Sequence, residues 1–118
     1  MLNTNLDVEK LKKLQFKIMK DVAASALIPL MRIGDQLGLF QTLSELGPIT
    51  SKRFAEEAKV DERYLREWLY ALSATDFVSY DGEKEEFSLS PEQKAVFADE
   101  EGPANMLGAY EVLAGQVY

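Results

Sequence analysis

Apolar residues recur at helical spacing through the first third of the chain. Val8, Leu11, Leu14, Ile18 and Val22 lie three or four positions apart, the stripe of an amphipathic helix, and Asp7 stands where an N-cap carboxylate would accept the first free amides. From Phe16 a second stripe runs alongside through Met19, Ala23, Ala26 and Leu30, so that over Val22 to Met31 nearly every face is apolar. Pro29 has no amide hydrogen and should kink or divide this helix. A helix apolar on all sides must be buried on all sides, and the short remainder of the chain is poorly placed to wrap it. The expected cover is a second protein surface. The alternative is that the domain folds back over the helix completely.

Further on, the punctuation is denser. Gly38 reads as the residue that ends this helix, and Leu39-Phe40 opens a short one to Leu46. Gly47-Pro48 is a turn, Ile49 adds a single strand residue, and Thr50 caps a helix over Ser51 to Ala58 with Phe54, Ala55 and Ala58 inward. After a short turn, Asp61 caps a longer helix over Glu62 to Thr75, whose inner face is Leu65, Trp68, Leu69 and Leu72. Phe77 to Tyr80 and Glu86 to Leu89 alternate as strands, with Asp81-Gly82 as the turn signal between them. Ser90-Pro91-Glu92-Gln93 is a capping box with proline at the first helical position, opening a helix to about Phe97. Pro103 is expected to begin a last helix with Met106, Leu107, Tyr110, Leu113, Ala114 and Val117 apolar. The predicted fold is mainly α with a small β-hairpin: a winged helix-turn-helix with additional N-terminal and C-terminal helices.

The 118 residues suit one domain. With 47% hydrophobic and 28% charged residues, the composition is that of an ordinary soluble globular chain. Cysteine and histidine are both absent, which excludes zinc sites and Ser-His-Asp or Cys-His catalysis and fits a reducing, cytoplasmic setting. The seven glycines never form G-x-G, so there is no dinucleotide fingerprint or phosphate loop. Asp99, Glu100 and Glu101 lack the spacing of a calcium loop and read as a solvated acidic turn. Trp68 and Tyr64 could line a ligand pocket, although Trp68 shares the face of Leu65, Leu69 and Leu72 and reads first as core. The N-terminus has no apolar leader, and Val22 to Met31 is too short to span a bilayer.

A helix-turn-helix raises the question of DNA, and charge answers against it. The chain carries 13 basic and 20 acidic residues, a net charge of -7. From Ile49 to Leu89 six basic residues face ten acidic ones, and the wing tip reads DGEKEE, the wrong sign for a phosphate backbone. Glu62 precedes Arg66 by four positions and Arg63 precedes Glu67 by four, so both arginines are expected to pair along their own helix. What remains for DNA is the cluster Lys52, Arg53 and Arg63 at the helix-turn-helix entrance.

Gly34-Asp35 with Leu37-Gly38-Leu39-Phe40, Gly47-Pro48-Ile49-Thr50-Ser51, Glu62 through Leu69, and the tail from Leu89-Ser90-Pro91-Glu92 through Ala98-Asp99-Glu100 together resemble the N-terminal winged-helix domain of a family of class I S-adenosylmethionine-dependent methyltransferases. The likeness covers about residues 20 to 105. It implies a two-domain enzyme whose N-terminal part dimerises and covers the substrate pocket, while a following Rossmann-like domain binds S-adenosylmethionine and transfers the methyl group. The chain departs from that pattern by stopping where the catalytic domain should begin, and the apolar last helix reaching Tyr118 reads as the start of a linker.

The expected organisation is N-terminal dimerisation helices over residues 1–37, the winged helix over 38–90, and C-terminal helices over 91–118 leading toward an absent catalytic domain. On this reading the chain itself holds no catalytic, cofactor-binding or metal-binding residue. It forms a homodimer with Phe16, Met19, Ala23, Leu27 and Leu30 as the self-association face, binds neither nucleic acid nor membrane, and meets a small-molecule methyl acceptor only together with the missing domain. The alternative is a stand-alone dimeric winged-helix transcription regulator binding DNA, and a third reading is an adaptor that uses the fold for protein contacts alone.

Overall fold

A computed structural model describes residues 5–110 of the chain. Helix α1 (Val8–Ser25) starts as its sequence predicts: the Asp7 carboxylate accepts the amides of Glu9 at 3.0 Å and Lys10 at 3.3 Å. The long apolar helix is divided at Ala26, and α2 (Leu27–Gln36) follows. Pro29 lies four residues after Ser25 and has no N–H to offer its carbonyl, so the ladder cannot pass this point unbroken. Packing changes at the same place. No described residue of α1 is buried, whereas α2 buries Leu27, Met31 and Gly34. The expectation of one buried helix over Val22 to Met31 therefore holds only from Leu27 onward, since Val22 is 63% exposed.

Gly38 adopts the left-handed conformation (φ 65°) that ends α2, and α3 (Leu39–Leu46) begins beside it. The strand β1 (Ile49–Thr50) is followed by α4 (Ser51–Ala58), capped by the Thr50 hydroxyl, and α5 (Glu62–Ala74), capped by the Asp61 carboxylate. The hairpin β2 (Ser79–Asp81) and β3 (Glu86–Ser88) forms the wing. β3 is central in the antiparallel order β1-β3-β2, with Ile49 opposite Phe87 and Tyr80 opposite Phe87 on its other side.

Two boundaries differ from the pattern reading. The first wing strand starts at Ser79, not Phe77, because the amides of Phe77 and Val78 both donate to the Leu72 carbonyl and close the end of α5. Those amides are therefore used in capping and not in the sheet. At the wing tip Asp81 accepts the amides of Glu83 and Lys84, and the left-handed residue is Glu85 (φ 54°), not Gly82.

α6 (Pro91–Phe97) opens with the predicted capping box, in which Ser90 and Gln93 exchange backbone and side-chain bonds. The Gln93 amide nitrogen also donates to the Asp76 carbonyl at 2.9 Å, fixing α6 to the α5–β2 connection. Beyond it, Pro103 does not begin a helix. Residues 103 and 104 lie in a turn, 105 and 106 have no regular structure, and helix resumes at Leu107, whose amide is accepted by the Asn105 side chain at 3.1 Å. Leu113, Ala114 and Val117 lie outside the described residues.

The core sits between α2, α3, α5 and α6. Phe40 packs edge-on against Trp68 and stacks on Phe97, each with ring centres 5.2 Å apart, while Phe54, Leu69, Leu72 and Phe87 fill the space under the sheet with no measurable exposure beyond 1%. No charged or polar residue among those described is fully buried.

Candidate functional site

Three surfaces could carry function: the outside of α1, the helix-turn-helix face with its wing, and a cleft beside Trp68. On α1, Val8, Leu14, Phe16, Ile18, Met19 and Val22 are all more than half exposed, with Phe16 at 64% and Met19 at 68%. A soluble helix normally turns such a stripe inward, where each large side chain contributes about 1.5–3 kcal/mol when fully buried. Within one copy of the chain, α1 packs chiefly on α2.

The five residues predicted as a self-association face do not stay together. Phe16, Met19 and Ala23 are exposed on α1, but Leu27 is 8% exposed and belongs to the core, and Leu30 packs against it. The division at Ala26 falls between the two groups: Phe16, Met19 and Ala23 precede it, and Leu27 and Leu30 belong to the helix that packs on the core.

On the helix-turn-helix face, Arg66 pairs with Glu62 at 3.7 Å as the spacing predicts. Glu62 is shared, since it also accepts the Ser51 hydroxyl at 2.9 Å. Arg63 and Glu67 do not form the predicted pair among the described ion pairs, and Arg63 is exposed together with Lys52 and Arg53. Between this face and the wing lies a cleft of about 360 Å³ whose charged lining is balanced, Lys52 and Arg66 against Glu62 and Glu85. That lining offers no surplus of cations to a phosphate backbone. The wing tip residues Glu83, Lys84 and Glu85 are exposed.

The third surface is apolar. A cleft of about 230 Å³ opens between the second half of α2, the α2–α3 turn and the start of α5. Ile33 and Leu37 line one side, Val60 and Tyr64 the other, with Trp68 below and Asp61 as the charged residue of the lining. Trp68 is held in place twice over. Its indole N–H donates to the Leu30 carbonyl at 2.8 Å, and Gly34 leaves the room its ring needs, since a Cβ there would stand 2.6 Å from Trp68 Cζ2. Both sequence readings of Trp68 thus apply to one side chain, as core residue at 5% exposure and as cleft lining.

Chemistry-bearing clusters are few. No group of three or more acidic residues among those described is arranged to hold a metal ion, and Glu100 instead accepts the Gln41 side-chain amide at 2.9 Å. Burial raises the Tyr80 phenol above its ordinary range, reinforced by its hydrogen bond with Tyr70 and by nearby negative charge, and burial alone raises Tyr110. No described helix is long and apolar enough to cross a membrane.

Two helices joined by a tight turn, followed by a hairpin that pairs with a short strand before them, define a winged helix-turn-helix domain. The chain belongs to the Rv2258c-like winged HTH domain family, whose sequence model matches residues 23–98. The match takes in α2 with the winged helix and leaves most of α1 outside, in agreement with where packing begins. Among solved structures, the chain is similar in fold to a protein of Nostoc punctiforme provisionally assigned as an O-methyltransferase (22% identity, TM-score 0.65, 82% of this chain and 28% of that one). It is also similar to LepI solved in complex with SAM (18% identity, TM-score 0.62, 75% of this chain and 25% of that one). The chain thus spans about a quarter of the length of either structure. A search of curated proteins finds no match.

Proposed function

We propose that these residues are the non-catalytic N-terminal dimerisation and substrate-lid domain of an S-adenosylmethionine-dependent methyltransferase. The observation that carries the reading is α1, a capped helix with six large apolar side chains exposed and none buried, attached to a body that is otherwise well packed. Such a face is stable in water when a second protein surface covers it. The fold likeness to a provisionally assigned O-methyltransferase and to LepI with SAM supplies the enzymatic context, and the quarter-length coverage supports a role as one domain of a longer enzyme.

Cofactor binding belongs, on this proposal, to another domain. A sulfonium nucleoside needs partners for its adenine, its ribose hydroxyls and its amino-acid end, whereas the cleft beside Trp68 is apolar with one carboxylate in its lining. The described residues of this cleft do not fit the cofactor. The domain would act in the cytoplasm, without nucleic acid or membrane as partner, and would meet the methyl acceptor only from the edge of a neighbouring catalytic site.

Sedimentation velocity and calorimetry test the proposal together. A dimer with no detectable heat on adding S-adenosylmethionine is expected; a monomer would remove the dimerisation role, and cofactor binding by this domain would remove the division of labour. The regulator reading is tested by fluorescence anisotropy with duplex DNA at low ionic strength, conditions that favour electrostatic contacts, and no binding is expected.

A further inference from the structure

The cleft between the helix-turn-helix and the wing is lined by charges of both signs, a balance that gives a polyanion no hold but matches a ligand that itself carries both signs. Lys52 at the start of α4 and Arg66 on α5 supply the cations, and Glu62 on α5 and Glu85 at the wing tip supply the carboxylates. Opposite charges gathered in one cleft can satisfy each other, yet here they largely do not. Arg66 meets Glu62 only at 3.7 Å, beyond hydrogen-bond length, and both this guanidinium and the Ser51 hydroxyl approach the same oxygen, Oε1. The side chains of Lys52 and Glu85 make no ion pair or hydrogen bond among the described residues. The donors of both cations, the Glu85 carboxylate and the second oxygen of Glu62 are therefore unspent.

Glu85 also carries a left-handed backbone (φ 54°), a conformation in which glycine avoids the crowding of a Cβ. An acidic residue thus lines the cleft from a turn position that favours glycine, and backbone strain of this kind gathers at ligand-binding sites. The rest of the lining includes an aromatic ring. Tyr70 is 46% exposed, packs edge-on against Phe87 and Tyr80 with ring centres 5.6 and 5.8 Å apart, and shares a hydrogen bond with Tyr80. Its ring is fixed by these neighbours and offers apolar surface beside the four charges. The volume, about 360 Å³, falls within the roughly 300–1,000 Å³ of small-molecule sites.

We propose that this cleft binds a free α-amino acid with an apolar side chain. Its carboxylate lies between Lys52 and Arg66, its ammonium meets Glu85 and the unspent oxygen of Glu62, and its side chain rests on the Tyr70 ring. Such a ligand has no net charge, so the surplus of -7 on the chain neither draws it in nor drives it off. The site is built from β1, α4, α5 and the wing without α1, so the proposal goes beyond the dimerisation reading and stands without it.

Calorimetric titration of the chain with L-leucine at low salt tests the site, and saturable binding with Kd below about 1 mM is expected. N-acetyl-L-leucine lacks the ammonium and L-leucinamide lacks the carboxylate, and each should bind at least tenfold more weakly. Lys52→Gln and Glu85→Gln, both at exposed positions and checked for native circular dichroism, should each weaken L-leucine at least tenfold. Amide shifts in nitrogen-15 NMR spectra should gather at Ser51, Lys52, Arg66 and Glu85 as the ligand is added. Glu85→Gly separates the two roles of that residue: it should raise Tm by removing the Cβ from a left-handed turn position and abolish L-leucine binding.

Absence of saturation by either L-leucine or L-phenylalanine up to about 10 mM would overturn the proposal. So would undiminished binding of L-leucine by Glu85→Gly, which would leave Glu85 as a turn residue alone. L-leucinamide binding as tightly as L-leucine would reassign the cleft to a peptide N-terminus, and N-acetyl-L-leucine doing so would reassign it to a simple anion; either result overturns the zwitterion. Shifts centred on Ile33 and Tyr64 would place the ligand beside Trp68 and would likewise overturn it.

Discussion

The indole nitrogen of Trp68 donates to the backbone carbonyl of Leu30 at 2.8 Å, joining the second turn of the helix-turn-helix's second helix to α2. This bond fixes the ring that both fills the core against Phe40 and lines the cleft. Replacing Trp68 with Phe removes the donor and part of the ring at a site 5% exposed. The expected loss is about 2–4 kcal/mol of unfolding free energy, read as a lower denaturation midpoint in urea with the slope unchanged.

Gly34 is the opposite case, where adding a methyl group is the perturbation. A Cβ would meet Trp68 Cζ2 at 2.6 Å and Phe40 Cε2 at 2.7 Å, both on rings held by their neighbours. The helix propensity gained by alanine, about 1 kcal/mol, opposes an overpacking cost of about 1–3 kcal/mol. Gly34→Ala should therefore be net destabilising in thermal melts. An increase in Tm would show that α2 can move away from α5 freely.

Much of this architecture was legible because its signals are local. Asp7, Thr50, Asp61 and Ser90 each cap the helix predicted for them, and Gly38 takes the left-handed conformation its position requires. Such signals depend on neighbours within four residues, which a sequence displays directly. Legibility ended where a group has competing partners beyond those four residues. Phe77 and Val78 look like strand, yet their amides are taken by Leu72.

The candidate surfaces were legible only in part for the same reason. Apolar spacing marks Phe16 and Leu27 as equivalent, but only tertiary packing tells that one is exposed and the other core. The apolar cleft assembles Ile33, Val60 and Tyr64 from three segments, and although Tyr64 and Trp68 were candidates for a pocket, no periodicity links them to α2. The Arg63–Glu67 spacing permitted a pair that the folded chain does not make, since exposed helix pairs contribute only about 0.3–0.5 kcal/mol and do not dictate a geometry.

Lys59 ends α4 in the left-handed conformation (φ 58°), a position where glycine avoids the clash of a Cβ. Lys59→Gly is expected to raise stability by about 0.5–1 kcal/mol, measured as a shift in the urea midpoint. A fall would mean that the unfolded-chain entropy of glycine exceeds the strain relieved.

The wing gives a pH dependence at the alkaline end. Burial, then the Tyr70 hydrogen bond and nearby acidic groups, keep the Tyr80 phenol protonated above its ordinary pKa of 10.0. A raised folded-state value means that this contribution to stability is complete below the ordinary pKa and is lost as pH rises through the folded one. Ultraviolet titration of the native chain against Tyr80→Phe should assign the missing phenolate signal to the late part of the curve; a signal missing from the early part would contradict the packing of Tyr80 on Tyr70.

The dimerisation role proposed for this domain depends on α1 being covered by protein. Amide hydrogen exchange of peptides from Val8–Ser25, followed as chain concentration rises, measures that directly. Protection of α1 that grows with concentration, while α3 to α6 stay protected throughout, is the predicted result. Rapid exchange across α1 at every concentration, with the body unchanged, would contradict the account.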